Sequence, residues 1–209
     1  VSDSAALADE AARRIEAVAS DQAWGGTASV ALAGGSTPRV AYQHLGSRCC
    51  PWAKLSIFFG DERCVPPDDE GSNYRMVREA LIDRVPFPPD NVHRIHGELS
   101  PDEAAARAEE DLRRAFPRQD IPRFDLMVLG IGADGHTASL FPGSPEMDET
   151  ERLMVPVHRP ELPQPWRVSM TLPVLNAAAR VLFLVADPAK GDVVRRAIAG
   201  DPALPAGRV

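Results

Sequence analysis

The chain has 209 residues, 44% of them hydrophobic, enough for one sizeable core or two small ones. Its formal net charge of −7 argues against a nucleic-acid surface but not against a small anionic substrate, which a few local cations can hold. No apolar run approaches the roughly 18 residues of a membrane span, and the three cysteines (Cys49, Cys50, Cys64) lack metal-type spacing and suit a reduced compartment. The first residues are small and acidic, unlike a secretory signal, although the Val1 start predicts a preceding initiator segment. We expect a soluble cytoplasmic protein, one domain over residues 1–209, with no nucleic-acid or membrane partner.

Residues 5–19 read as an amphipathic helix capped by Ser4, with Leu7, Ala11, Ile15 and Val18 on one face. Ala28 to Ala33 is an apolar strand that ends in Gly34-Gly35-Ser36-Thr37-Pro38, and a helix follows from Val40 to Leu45 with Pro38 in its approach. Glycines, hydroxyls and a helix N-terminus are what a phosphate cradle needs. An ordinary strand-to-helix turn capped by Ser36 or Thr37 fits the same residues. Leu55 to Phe59 is the next strand, followed by Gly60-Asp61-Glu62-Arg63, either a solvated loop or a second set of site groups. Ser72-Asn73 lead into a helix from about Tyr74 to Val85, with Asn73 as its cap or as a site contact. Val92 to His96 reads as a short strand whose two histidines point to opposite faces, which disfavours a metal pair. Ser100-Pro101-Asp102-Glu103 opens a helix that runs to about Phe116.

The chain is organised around Phe124 to Pro145. Leu126 to Leu129 suits a strand buried on both faces, and Gly130, Gly132 and Gly135 then let the backbone turn close to a ligand. Asp134 and His136 sit inside that glycine cluster, as an acid/base pair or as part of a solvated surface turn. Further strands are expected at 153–157, 168–171 and 180–186, a short helix or turn at 172–178, and a last helix from about Lys190 to Ile198. The alternation of apolar strands and helices predicts an α/β fold with an open, largely parallel, Rossmann-like sheet covered by helices on both faces.

In such sheets ligands bind beyond the carboxyl ends of the strands. Gly35, Ser36 and Thr37, then Asp61 to Arg63, Asp134 to His136, and Lys190 all fall at that rim, with Arg167 on a neighbouring strand. Cations, hydroxyls and backbone amides together suit a phosphate, and Asp61, Asp134 and His136 supply acid/base groups. No Gly-x-Ser-x-Gly elbow, Walker loop or close metal-ligand cluster occurs in the sequence.

The runs Gly-Gly-Ser-Thr-Pro (34–38), Asp-Glu-Arg-Cys-Val-Pro (61–66), Ser-Asn-Tyr-Arg-Met (72–76) and Gly-Ile-Gly-Ala-Asp-Gly-His-Thr-Ala-Ser-Leu-Phe-Pro-Gly (130–143) occur in that order, followed by Arg-Val-Ser-Met-Thr-Leu-Pro-Val-Leu-Asn (167–176). Together they resemble the glucosamine-6-phosphate isomerase/6-phosphogluconolactonase family, on its lactonase side. The resemblance implies a fold like that of glucosamine-6-phosphate deaminase and ribose-5-phosphate isomerase. It also implies hydrolysis of 6-phospho-D-glucono-1,5-lactone, with no redox cofactor and no catalytic metal. By the same analogy His136 is the general base and then acid, and Arg63 stabilises the oxyanion or orients the sugar. Asp134 and Asp61 orient His136 or the sugar hydroxyls. Gly35, Ser36, Thr37, Asn73, Arg167 and Lys190 hold the phosphosugar.

A monomer or weak homo-oligomer is expected. The related deaminase has a glutamate where this chain has Phe141, and Asp-Glu-Tyr where it has Asp61-Glu62-Arg63, so that alternative lacks its ring-opening groups. A non-catalytic sugar-phosphate sensor is a third reading, against which His136 stands. Members of the family continue past the position of Val209 into a further short strand, so an open sheet edge is expected if that segment is missing.

Overall fold

The computed structural model describes residues 3–21 and 26–209; Val1, and any expectation attached to it, lies outside them. Five strands form one parallel sheet: β1 (Ala28–Leu32), β2 (Leu55–Phe59), β4 (Val92–His93), β5 (Leu126–Leu129) and β8 (Val181–Phe183), in the order β4-β2-β1-β5-β8. Every residue of β1 and β5 is buried. Successive side chains point to opposite faces, so both faces of the sheet are covered. The Asp125 carboxylate fixes the β1–β5 register by accepting from the Ser29 N–H (2.7 Å) and hydroxyl (2.9 Å).

The chain leaves β1 towards β2 and β4 on one side, then crosses to β5 and β8 on the other. The switch point therefore lies between β1 and β5, and it opens a crevice at their carboxyl ends. The Gly34–Thr37 and Gly130–His136 segments emerge there.

Helices α1 (Ser4–Ser20), α2 (Ser36–Gly46), α3 (Asn73–Ala80), α4 (Pro101–Ala115), α5 (Leu172–Ala177) and α6 (Gly191–Ile198) complete the layers. The cap of α1 is Asp3, whose side chain accepts from the Ala6 N–H at 2.8 Å, and not Ser4. Glu103 anchors the start of α4 by accepting from the Ser100 hydroxyl (2.6 Å) and N–H (3.3 Å).

Several expected boundaries move. The segments read as strands at 153–157 and 168–171 do not join the parallel sheet. With Asp61 to Arg63, for which the sequence predicts no strand, they build a separate antiparallel sheet of β3 (Asp61–Arg63), β7 (Trp166–Met170) and β6 (Met154–His158). The cause is a bend at Gly60: its N–H still bonds Leu32 O in the first sheet (3.0 Å), while its carbonyl accepts from Met170 N in the second (2.8 Å). Strand β8 covers 181–183 rather than 180–186, because its partner β5 ends at Leu129 and turns away. Strand β4 stops at His93, so His96 is off the strand; His93 stacks on Phe58 at 4.2 Å. Helix α3 ends at Ala80, short of Val85, where Leu81 leaves helical geometry and a 3₁₀ turn follows.

Most apolar residues form one core around the parallel sheet. A second, smaller cluster of Ile131, Val193, Leu204 and Ala206 lies apart from it. Among the described residues no helix is long and apolar enough to cross a membrane.

Candidate active site

At the switch point lies an open cleft of about 450 Å³, lined by Gly35, Ser36, Thr37, Asp61, Arg63, Asn73, His136, Arg167 and Lys190, among others. Nine of the ten residues singled out from sequence thus face one space. The tenth, Asp134, stands directly behind His136.

The floor comes from β1. Helix α2 starts at Ser36, earlier than the expected Val40, and its N-cap is Gly35 at φ +106 with no side-chain cap. Neither Ser36 nor Thr37 serves as the cap, so both hydroxyls stay available. The Ser36 and Thr37 N–H groups belong to the first turn, which has no intrahelical acceptors. A Cβ on Gly34 would collide with the Asn73 amide, so glycine is what lets these two segments touch. The Tyr42 hydroxyl, which sequence reading missed, pins the approach by bonding both Ala33 N (3.0 Å) and Ala33 O (2.9 Å).

One wall comes from the small sheet. Arg63 and Arg167 stand opposite one another in the β3–β7 register. Like charges placed directly across a ladder repel. Burial, and next the neighbouring Arg63 charge, lowers the Arg167 pKa from its ordinary value, while Asp61 and Glu62 pull the other way. The Nε atoms of both arginines are buried without a partner, although Arg63 Nη1 donates to Gly71 O at 2.5 Å. Two crowded guanidinium groups with unused donors form a site that an anion would relieve.

Asp61 is buried, and its two oxygens accept from Asn73 Nδ2 (3.2 Å) and the Ser139 hydroxyl (2.7 Å). It therefore ties β3 to α3 and to the loop after His136. Asn73 does not cap α3; Ser72 does, accepting from Arg75 N at 3.1 Å. Glu62, which the sequence places at the rim without a role, anchors this wall. Its carboxylate accepts from Arg63 N, Asn73 N, Tyr74 N and the Ser72 hydroxyl at 2.7–3.1 Å. Its only sequence signal was an acid between two charged neighbours, which reads equally as a solvated turn.

The opposite wall is the turn after β5. The imidazole Nδ1 of His136 lies 2.6 Å from Asp134 Oδ1, which also accepts from the His136 N–H at 3.1 Å. Burial works to raise the Asp134 pKa, but the His136 N–H and imidazole outweigh it and leave the carboxyl below its ordinary range. Gly132 has no room for a Cβ, which would overlap the His136 ring. Lys190 donates to Ile131 O at 2.7 Å, which holds its ammonium at the rim. Among the described residues no three His, Cys, Asp or Glu side chains are placed to hold a metal ion.

Fold and site together define an α/β protein shaped to hold a small anion beside an imidazole at the switch point of a parallel sheet. Residues 2–209 match the family described as glucosamine-6-phosphate isomerases/6-phosphogluconolactonase, and the chain belongs to that family. It is 40% identical over 173 residues to the 6-phosphogluconolactonase of Homo sapiens, an overlap of 80% of this chain and 67% of that one. It is 37% identical over 202 residues to the 6-phosphogluconolactonase of Streptomyces coelicolor, covering 91% and 77% of the two chains. Among solved structures, the 6-phosphogluconolactonase of Thermotoga maritima superposes with a TM-score of 0.86 at 32% identity, over 97% of this chain and 90% of that one. For the Trypanosoma brucei enzyme of the same name the TM-score is 0.83 at 30% identity, over 98% and 88%.

Proposed function

We propose that the chain is a 6-phosphogluconolactonase, which adds water to 6-phospho-D-glucono-1,5-lactone to give 6-phospho-D-gluconate in the oxidative pentose phosphate pathway. The observation that carries this reading is the pairing of the His136–Asp134 dyad with facing Arg63 and Arg167 across one cleft. Asp134 accepts a hydrogen bond from Nδ1–H and so leaves the Nε2 lone pair for water. Nε2 takes a proton as the water oxygen bonds the lactone carbonyl carbon, and the carbonyl electrons move onto oxygen beside Arg63. When the ring C–O bond breaks, the imidazolium returns that proton to the departing oxygen, which becomes a hydroxyl. The new carboxylic acid then ionises.

Ser36, Thr37, Arg167, Lys190 and the Gly35 backbone hold the phosphate, while Asn73 and Asp61 keep the two walls in register. All of this sits within one domain, working in the cytoplasm as a monomer or weak homo-oligomer. The three cysteines are free thiols, in keeping with that compartment.

The test is to generate the lactone in situ and follow its hydrolysis above the spontaneous rate. Wild type turns it over, and His136→Ala loses roughly 10²- to 10⁴-fold in kcat while still binding phosphogluconate. If wild type showed no turnover above background, the reading would fall.

A further inference from the structure

We propose that Leu204 is a positioning residue for His136, part of a clamp formed by residues 190–207 that gives the catalytic turn its shape. The inference rests on the lactonase reading for its kinetic consequence and on geometry alone for its structural one.

The turn from Gly130 to Gly135 has little to hold itself with. Three of its six residues are glycines, Gly130 has no neighbour within 4 Å of a would-be Cβ, and Ala133 and Asp134 are exposed. Its internal backbone–backbone bonds are two, Gly132 N to His136 O (2.8 Å) and Gly135 N to Gly132 O (3.0 Å); the Thr137 hydroxyl on Gly130 O (2.9 Å) and Asp134 on His136 add side-chain bonds, but none of these reaches the Gly135 carbonyl. A segment so poor in side chains takes its conformation from what packs against it.

The packing comes from residues 190–207. At one end of the turn Lys190 Nζ donates to Ile131 O, and the Ile131 side chain joins Val193, Leu204 and Ala206 in the minor apolar cluster. At the other end Ala206 N donates to Gly135 O at 3.1 Å. Leu204 lies flat against Gly135; a Cβ there would come within 2.7 Å of Leu204 Cδ2. Gly135, at φ +89, directly precedes His136, so a shift at Gly135 passes straight into the imidazole. The residue is 3% exposed, yet its cluster is separate from the main core, which makes its loss a local event.

Leu204→Ala opens a void over Gly135 and lets the turn move. A displacement of about 1 Å in a catalytic group can cost about 10²-fold in rate. We expect kcat to fall about 10- to 100-fold, a larger factor than any change in KM or in inhibition by inorganic phosphate, since of the phosphate groups only Lys190 bonds the turn, while Ser36, Thr37 and Arg167 lie outside it. The volume-conserving Leu204→Met should recover most of the rate. Leu112→Ala serves as the control: it removes as much apolar bulk from the main core on α4 but keeps its kcat per folded molecule. The His136 imidazole ¹H–¹⁵N resonances provide a readout independent of turnover, and Leu204→Ala should shift or broaden them. Wild-type kcat in Leu204→Ala, unmoved His136 resonances, or a kcat loss that Leu112→Ala reproduces would each overturn the proposal. Were wild type itself inactive on the lactone, the lactonase reading would fail while the resonances still judged the clamp.

Discussion

Two side chains bear directly on the His136 imidazole, and a third backs one of them. Asp134 takes Nδ1, the Phe141 ring packs against the imidazole with centroids 4.6 Å apart, and the Arg159 guanidinium lies 4.4 Å from the Phe141 centroid. The bare Cα of Gly132 completes the enclosure. A methyl group there would overlap the ring and come within 2.6 Å of Asp134 Oδ1. Gly132→Ala is therefore expected to force the imidazole off Asp134 and lower kcat about 10²-fold or more, with the circular dichroism spectrum unchanged because the turn lies outside the core. Near wild-type kcat would mean that the turn relaxes at no cost to the dyad.

At the level of elements, the weakest piece is β3. Three residues make a poor strand, yet it carries both Asp61 and Arg63. Glu62 holds it in place by presenting one carboxylate to four donors from β3 and the start of α3, where negative charge also suits the helix N-terminus. Burial pushes the Glu62 pKa up, and the N–H groups of Tyr74, Asn73 and Arg63 pull it back. Glu62→Ala would leave buried donors unsatisfied and should cost about 2–4 kcal/mol in urea unfolding. Because Arg63 and Asn73 lose their common anchor, KM should rise as well. A stable variant with unchanged KM would show that the β3–β7 ladder alone suffices.

For the whole molecule, acid stability follows from carboxylates whose native pKa is depressed. Glu98 is held at about 2, against an ordinary value of 4.5, chiefly by hydrogen bonds from Arg94 at 2.6 and 2.8 Å. Between those two values the unfolded chain binds the proton and the native one does not, so this contribution is complete above pH 4.5 and disappears as pH falls through 2. Asp134 acts in the same direction, and Glu62, with its raised value, in the opposite one. The melting temperature should fall on acidification below pH 4.5, and Glu98→Gln should flatten that slope modestly, since the pair is partly exposed. An unchanged slope would leave Glu98 without a part in acid stability.

The sequence by itself determined the alternation of strands and helices, the carboxyl-end rim and the polar and charged residues that line the cleft. These are local signals: apolar runs of strand length, glycines after them, polar groups after the glycines. It also identified the family, because the Gly130–Gly143 run is long and ordered. Only the tertiary structure decided that Asp61 turns to Ser139 and Asn73, leaving Asp134, two residues before His136, as the carboxylate against its imidazole. The antiparallel pairing of β3 with β7 likewise joins residues about a hundred positions apart. The hydrogen bond from Ser139 to Asp61 and the contact of Leu204 with Gly135 also join segments far apart in the chain. Contacts between distant segments leave no periodic trace in either segment, because each is compatible with many partners until the core brings one of them close.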